Sequence, residues 1–308
     1  MILSFIKILI SKVALGLIKK ILSCNQLSFL HLVVIRGSIL FHHYVDSCVV
    51  NRLEIITHLD NLGITYCKLQ LTGTGVLQIY SENRVYMVGC GKHSINSLNE
   101  NYNNYMLLQH SSLKDLVDYE LLKGDFDGGV YYSMERLNFI TDKLPSLQHI
   151  IKLLSKKSEM HKLNLKKYDD IAVKLNLLPL LEVLKKKDFN LSYGLTHGDL
   201  TPDNIMQKND GKIVLIDLDR LETFNFQFID ELHFYVEYYS SLEDQNWFSI
   251  LESYLNGHRS DIWDDYLLAV YFLYRLDCEL RGSEPTLNYS RYIHNFALVL
   301  LDHFSKKD

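Results

Sequence analysis

The stretch Leu195-Thr-His-Gly-Asp-Leu-Thr-Pro-Asp-Asn-Ile205, followed by Lys212-Ile-Val-Leu-Ile-Asp-Leu-Asp-Arg220, decides how this chain is read. The first segment carries turn chemistry, with Gly, Pro, Asp and Asn close together, and puts His197, Asp199 and Asn204 in one loop. The second is an apolar, β-branched run, Ile213–Ile216, that delivers Asp217 at its end. Phosphoryl transfer asks little covalent help of a protein. It needs a carboxylate to orient the attacking hydroxyl and take its proton, and oxygen ligands to hold magnesium against nucleotide phosphates. Asp199 suits the first task, Asn204 and Asp217 the second. Magnesium prefers hard oxygen donors and keeps several waters, so one amide oxygen and one carboxylate suffice. The alternative is an ordinary turn with Asp199 as a cap.

Outward from that stretch, residues 64–90 read as three short strands separated by Gly73-Thr-Gly75 and by Ser81-Glu-Asn83. Before them, Asn51 to Leu62 has helical spacing and stops at Gly63. Helical period returns from Ser97 to Gln109, and strand-like runs follow at Leu116–Leu122 and Val130–Glu135. Past Leu137 the pattern is mainly helical, at 146–163, at 168–186 and from 229 onward. The expectation is an α+β chain with two lobes: an extension over 1–27, a small β-rich lobe over 28–137 and a larger helical lobe over 138–308.

Composition excludes several classes. Among 308 residues, 47% are apolar and 22% charged, while 15 Gly and 4 Pro are too few for a fibrous or low-complexity chain. A net charge of −5 supplies no global positive field, so nucleic acid is not an expected partner. The cysteines Cys24, Cys48, Cys67, Cys90 and Cys278 are odd in number and scattered, which argues against a disulfide framework or zinc site and favours a reducing, cytoplasmic setting. The histidines, His42 and His43 included, lack metal-ligand spacing with cysteines or paired carboxylates.

Residues 1–22 are apolar but interrupted by Lys7 and Lys12, and a lysine near the bilayer centre costs roughly 2.5–3.5 kcal/mol. A spanning helix is therefore disfavoured. Two readings stay open: an amphipathic helix on an anionic membrane surface, with Ile6, Ile10, Val13, Leu17 and Ile21 on its apolar side, or a helix packed on the folded body.

The loop His197-Gly-Asp-Leu-Thr-Pro-Asp-Asn204 with Ile216-Asp-Leu-Asp-Arg220 resembles the catalytic and metal loops of the aminoglycoside phosphotransferase and choline kinase group. Leu215–Arg220 is similar also to bacterial kinases of lipopolysaccharide core sugars. Five residues from Asp199 to Asn204 and thirteen from Asn204 to Asp217 match the kinase pattern. The resemblance implies a protein-kinase-like fold and transfer of a phosphoryl group from ATP, with Mg2+, to a hydroxyl of a small molecule or saccharide. It implies Asp199 as catalytic base, His197 as organiser of the loop, and Asn204 and Asp217 as metal ligands. Asp219 either touches a second magnesium or holds Arg220 or a backbone amide. In Phe228-Ile-Asp-Glu-Leu-His-Phe234, Asp230 is expected to buttress the catalytic loop.

Further resemblances are more local. Thr72-Gly73-Thr74-Gly75 is similar to a phosphate-covering hairpin, and equally to any glycine-rich turn. Glu100 stands where the group's helix glutamate pairs a strand lysine, although Ser97-Leu-Asn-Glu100 is also a capping box. Ser133–Leu137, with Glu135, falls where such proteins join their lobes and offer backbone groups to adenine. One departure stands out. Arg84-Val-Tyr-Met-Val-Gly-Cys90 has no lysine where the group grips the α- and β-phosphates; Val88 or Gly89 takes that place, and Lys92 or Lys68 is the candidate substitute, each otherwise a surface lysine. A nucleotide-binding scaffold without turnover is therefore a second reading, and a protein kinase a third. The aromatic residues over 224–274, with Trp247 and Trp263, read as packing, and the acidic residues Glu231, Glu237, Glu243, Asp244 and Glu252 scarcely discriminate among acceptors.

Overall fold

The computed structural model describes residues 66–71, 76–89, 92–126, 129–140, 143–258, 264–282 and 287–306. The readings of residues 1–27, of the helix at Asn51–Leu62, of His42 and His43, of Gly73, Thr74 and Gly75, and of Trp263 lie outside the described residues.

The chain divides into two compact units. The first includes residues 119–136 and the chain up to Asn103. Its strands β1 (Tyr66–Leu71), β2 (Leu77–Ser81), β3 (Arg84–Gly89), β4 (Leu121–Phe126) and β5 (Gly129–Glu135) form one antiparallel sheet in the order β1-β2-β3-β5-β4. Burial alternates along β2, where Leu77, Ile79 and Ser81 are buried, because successive side chains of a strand point to opposite faces. The β2–β3 turn is closed by Ser81, whose Oγ accepts the Arg84 N–H at 3.1 Å and donates to the Arg84 carbonyl at 2.9 Å. Helix α1 (Lys92–Gln109) is tied to the sheet where Asn99 Oδ1 accepts from Tyr132 OH at 2.8 Å and from Lys123 Nζ at 3.1 Å.

The second unit comprises residues 104–118 and 137–308. Helices α2 (Lys143–Leu154), α3 (Asp169–Lys174), α4 (Leu178–Lys185), α5 (Phe228–Glu243), α6 (Trp247–Leu255), α7 (Asp265–Gly282) and α8 (Leu287–Ser305) form its helical part. Leu180, Leu184, Ile250, Leu251, Phe272 and Leu300 stand in one buried cluster, the apolar burial that holds these helices together. Two small sheets complete the unit. One has the order β10-β9-β6, from Ile213–Leu215, Ile205–Gln207 and Asn138–Phe139; the other has β11-β8-β7, from Glu222–Phe226, Asn190–Thr196 and Glu159–Lys162.

Four expectations are corrected. Helix α1 begins at Lys92, so Ser97 lies in its second turn and the capping-box reading of Ser97 and Glu100 fails. The strand expected at Leu116–Leu122 starts only at Leu121; Lys114–Val117 is a 3-10 turn, since Leu116 and Val117 are adjacent and both buried, which strand alternation forbids on a one-sided face. The helix expected over 146–163 stops at Leu154 and gives way to the edge strand β7, whose residues are all exposed and so carry no alternation. The segment 168–186 is two helices. Asn176 adopts the left-handed conformation (φ 57°) after the first, and Pro179 sits at the start of the second.

Candidate functional site

Strand β8 ends at Thr196 and hands the chain to a loop that runs into the 3-10 turn Pro202–Asn204 and then β9. After the β9–β10 hairpin, residues 216–221 return beside that loop. Two hydrogen bonds lock the two segments together, and a third ties the second segment to α1. His197 Nε2 bonds the Ile216 carbonyl at 2.9 Å, the Ile216 N–H donates to the Asn204 carbonyl at 3.1 Å, and on the far side Asn104 Nδ2 donates to the Leu218 carbonyl at 2.8 Å.

His197 is fully buried, and burial lowers its pKa, so the neutral ring serves as a strut. Its Nδ1 accepts the Asp199 N–H at 3.4 Å, which leaves the ring hydrogen on Nε2 for the Ile216 carbonyl. Gly198 has φ +78°, and a Cβ there would come within 2.1 Å of the Arg220 carbonyl oxygen, so this turn accepts only glycine.

Asp230, buried near the start of α5, accepts the N–H of His197 at 2.7 Å and that of Gly198 at 2.9 Å. Burial pushes its carboxyl up to about 6, against the pull of those two amides. The Gly198 carbonyl accepts a hydrogen bond from Tyr274 OH on α7.

Asp199 is partly open, and its Oδ1 faces His233 Nε2 at 3.1 Å and Arg220 Nη1 at 3.6 Å. Burial works to raise its pKa, but the hydrogen bond from His233, with the charges of Arg220 and Arg275, outweighs it and holds the carboxyl well below the usual range. It therefore stays ionised. Asn204 Nδ2 donates to the Asp199 carbonyl at 2.8 Å, which fixes the amide orientation and leaves Oδ1 as an oxygen donor.

Asp217 takes a left-handed backbone conformation (φ 60°). Its side chain is solvent-exposed, beside Asp219 and Asp199. Desolvation first, then the negative charges of Asp219 and Asp199, push its carboxyl up to about 7, only partly relieved by Arg220. Carboxylates crowded so closely invite a cation. No group of three or more His, Cys, Asp and Glu residues fit to enclose a metal occurs among the described residues. An Asn204 oxygen with Asp217 is the kind of sparse, hard-oxygen set that magnesium takes while retaining water, so these residues fit that ion.

Of the other sequence-derived candidates, Glu100 is exposed on α1, Glu135 ends β5 opposite Arg84, and Lys92 opens α1. All three belong to the first unit. Val88 is buried in β3, which contains no lysine, so the departure noted in the sequence persists in the sheet. His233, Tyr271, Tyr274 and Arg275 lie outside the sequence-derived candidates; Tyr271 and Tyr274 do pack in the core, as expected of the aromatics over 224–274, and in addition spend their hydroxyls on His233 and the Gly198 carbonyl. A signal existed: Asp230 and His233 are three apart on α5, and Tyr271, Tyr274 and Arg275 are three and four apart on α7, the spacings that share a helix face. Of the acidic residues, Glu237 is occupied by Arg275 at 2.8 Å.

No family model and no curated protein matches the chain. Among solved structures it is similar to choline kinase LicA from Streptococcus pneumoniae, with 20% identity and a TM-score of 0.46 over 81% of this chain and 98% of that one. It is similar also to a thermostable mutant of aminoglycoside phosphotransferase APH(4)-Ia in a ternary complex with AMP-PNP and hygromycin B, with 13% identity and a TM-score of 0.48 over 81% and 98%. A third similarity is to the GDP complex of an aminoglycoside 2'-phosphotransferase-IIIa mutant, with 14% identity and a TM-score of 0.45 over 82% and 97%. Each of these three solved chains is matched over nearly its whole length.

Proposed function

We propose that the chain is an ATP-dependent phosphotransferase that moves the γ-phosphoryl group to a hydroxyl of a small molecule or saccharide. The observation that carries this reading is the single hydrogen-bonded assembly of Asp199, Asn204 and the Asp217 turn, cross-braced by His197 to Ile216 and buttressed by Asp230. An ionised Asp199 with a low pKa is a weak proton acceptor but a firm hydrogen-bond acceptor, which suits a loose transition state in which the hydroxyl proton leaves late. The alcohol oxygen forms a bond to the γ-phosphorus as the bond to the ADP oxygen breaks. The electron pair leaves with ADP, and the hydroxyl proton passes to Asp199 Oδ2 and on to solvent.

Asn204 and Asp217 are the residues that would hold Mg2+, with Asp219 adding negative charge nearby. When bound, that ion neutralises charge on the phosphate oxygens. Nucleotide contacts from Gly73, Thr74, Gly75, Lys92, Glu100 and Glu135 belong to the same proposal. The short course from Asp217 to α5 is filled by β11, which leaves no long segment for docking a protein acceptor and so favours a small acceptor over a protein kinase. A cytoplasmic chain that meets the inner face of a membrane through residues 1–22, acting on a cell-envelope glycan or glycolipid, is the finer form of this reading. No helix among the described residues is long and apolar enough to cross a membrane.

The absence of a β3 lysine favours one competing reading, a nucleotide-binding scaffold. An acceptor screen with labelled ATP and Mg2+ over sugars, aminoalcohols and envelope extracts decides between them. Labelled product that disappears in Asp199→Ala and Asp217→Ala supports the enzyme; nucleotide binding with no transfer across the panel supports the scaffold. Flotation with anionic vesicles tests the membrane contact, and unchanged flotation after deleting residues 1–22 refutes it.

A further inference from the structure

We infer that His233 is a positioning residue for Asp199, which it clamps through a relay that starts at Tyr271. This inference rests on the phosphotransfer reading above and deepens it. His233 is almost fully buried on α5, at 1% exposure, and both its ring nitrogens are engaged. Nδ1 lies 2.7 Å from Tyr271 OH and Nε2 lies 3.1 Å from Asp199 Oδ1. An ionised Asp199 carboxylate can only accept, so Nε2 carries the ring hydrogen, and Tyr271, fully buried with its phenol held protonated, has a hydroxyl hydrogen to give to Nδ1 of the neutral ring. A ring that accepts at Nδ1 carries its hydrogen on Nε2 and donates it to Asp199.

The clamp is itself braced. Arg275 Nη1 sits 3.3 Å from each ring nitrogen, and Arg275 Nη2 is anchored to Glu237 Oε1 at 2.8 Å. α5 and α7, packed through the apolar core, thus fix the histidine from two sides. Because His233 and Arg220 both address Oδ1, the carboxylate has one defined rotamer, with Oδ2 presented to the acceptor hydroxyl. An Asp199 released from Oδ1 would rotate among several rotamers and lose the alignment that a positioned base supplies. A purely structural histidine would need no contact with the partly open carboxylate.

The test uses the full chain with Mg-ATP, comparing wild type, His233→Leu and His233→Gln. Gln places an amide N–H near the position of Nε2; Leu places none. The proposal expects kcat for ATP turnover to fall roughly 10–100-fold in H233L with KM for ATP within about twofold, and H233Q to recover most of the loss. Long-range proton–nitrogen spectra of 15N-histidine protein supply a readout independent of turnover: Asp199→Asn is expected to shift the Nε2 resonance of His233 while Nδ1 stays an acceptor. Equal kcat in wild type and H233L, equal losses in L and Q that track the thermal midpoint, or an Nε2 resonance indifferent to D199N overturns the proposal. Wild-type protein without turnover overturns the phosphotransfer reading instead, and with it the catalytic meaning of the clamp, even where the spectra show the contact.

Discussion

One oxygen of Asp230 accepts the His197 amide hydrogen at 2.7 Å, and its other oxygen accepts that of Gly198, so a single buried side chain on α5 holds the start of the loop that follows β8. An isosteric amide cannot repeat this, because its NH2 would face one of the two N–H groups. Asp230→Asn is therefore expected to cost about 2–3 kcal/mol of stability through one buried unsatisfied donor and one donor–donor clash. Chemical denaturation of both proteins measures it. A loss below about 0.5 kcal/mol would mean that the loop holds its shape without this buttress.

Gly198 makes a sharper case, because no partial compensation is available. Its positive φ and the 2.1 Å approach of a would-be Cβ to the Arg220 carbonyl oxygen leave Ala no position without backbone movement. Gly198→Ala is expected to lose at least about 2 kcal/mol in the same denaturation assay and to abolish phosphoryl transfer. By contrast Gly211 also has positive φ (89°) but open space around it, so Gly211→Ala costs only its conformational strain, about 1 kcal/mol, with transfer retained. Equal effects at the two glycines would show that crowding against Arg220 is not what constrains the loop.

These examples show what kind of information a sequence exposes. Asp199, Asn204 and Asp217 were legible because turn residues and a short apolar run lie within a few positions of one another, and local chemistry writes local patterns. The β1–β2–β3 order was legible for the same reason, with Gly-rich and Ser-Glu-Asn breaks between alternating runs. His233 and Tyr271 were not, since their partners are 34 and 38 residues distant and a helical histidine looks alike whether it faces a carboxylate or a leucine. Strand β7 was invisible because an exposed edge strand has no buried face to impose a period. The α3–α4 break was signalled by Asn176 and Pro179, but the apolar spacing on either side continued through it and hid the interruption.

The raised carboxyls of Asp230 and Asp217 also set a pH dependence of stability, and its sign follows from the folded-state values. Asp230 at about 6 and Asp217 at about 7 both lie above the ordinary carboxylate value of 3.8, so between these limits the folded chain binds more protons than the unfolded one. Their contribution to stability thus falls as pH rises through 4 to 7 and its cost is fully present above about 7. Asp199, held low, works the opposite way but only in a more acidic range. In metal-free buffer, the thermal midpoint of Asp217→Asn relative to wild type should rise between pH 5 and pH 8, because the amide removes a charge that wild type must hold beside Asp219 and Asp199 only at the higher pH. A midpoint difference that stays constant across that range would contradict the crowding of Asp217 by Asp219 and Asp199.

The same carboxylate makes cation binding a competition with a proton. With Asp217 titrating near 7, lowering the pH below that value protonates the oxygen that Mg2+ or Mn2+ would need, and apparent affinity should drop about tenfold per pH unit between about 6.5 and 5.5. Above about 7.5 the carboxylate is already ionised and affinity should level off. Bound cation in turn stabilises the ionised form, so titrating metal at pH 6.5 should release protons, measurable as a buffer-dependent binding enthalpy. Asp217→Asn removes the proton competitor together with the charge: its weak residual Mn2+ binding, followed by electron paramagnetic resonance, should be flat over the same pH range. Wild-type affinity that is flat as well would place the cation on other oxygens and detach Asp217 from the metal role, whereas proton release in wild type alone ties the ion to this residue and leaves Asn204 Oδ1 as its neutral companion.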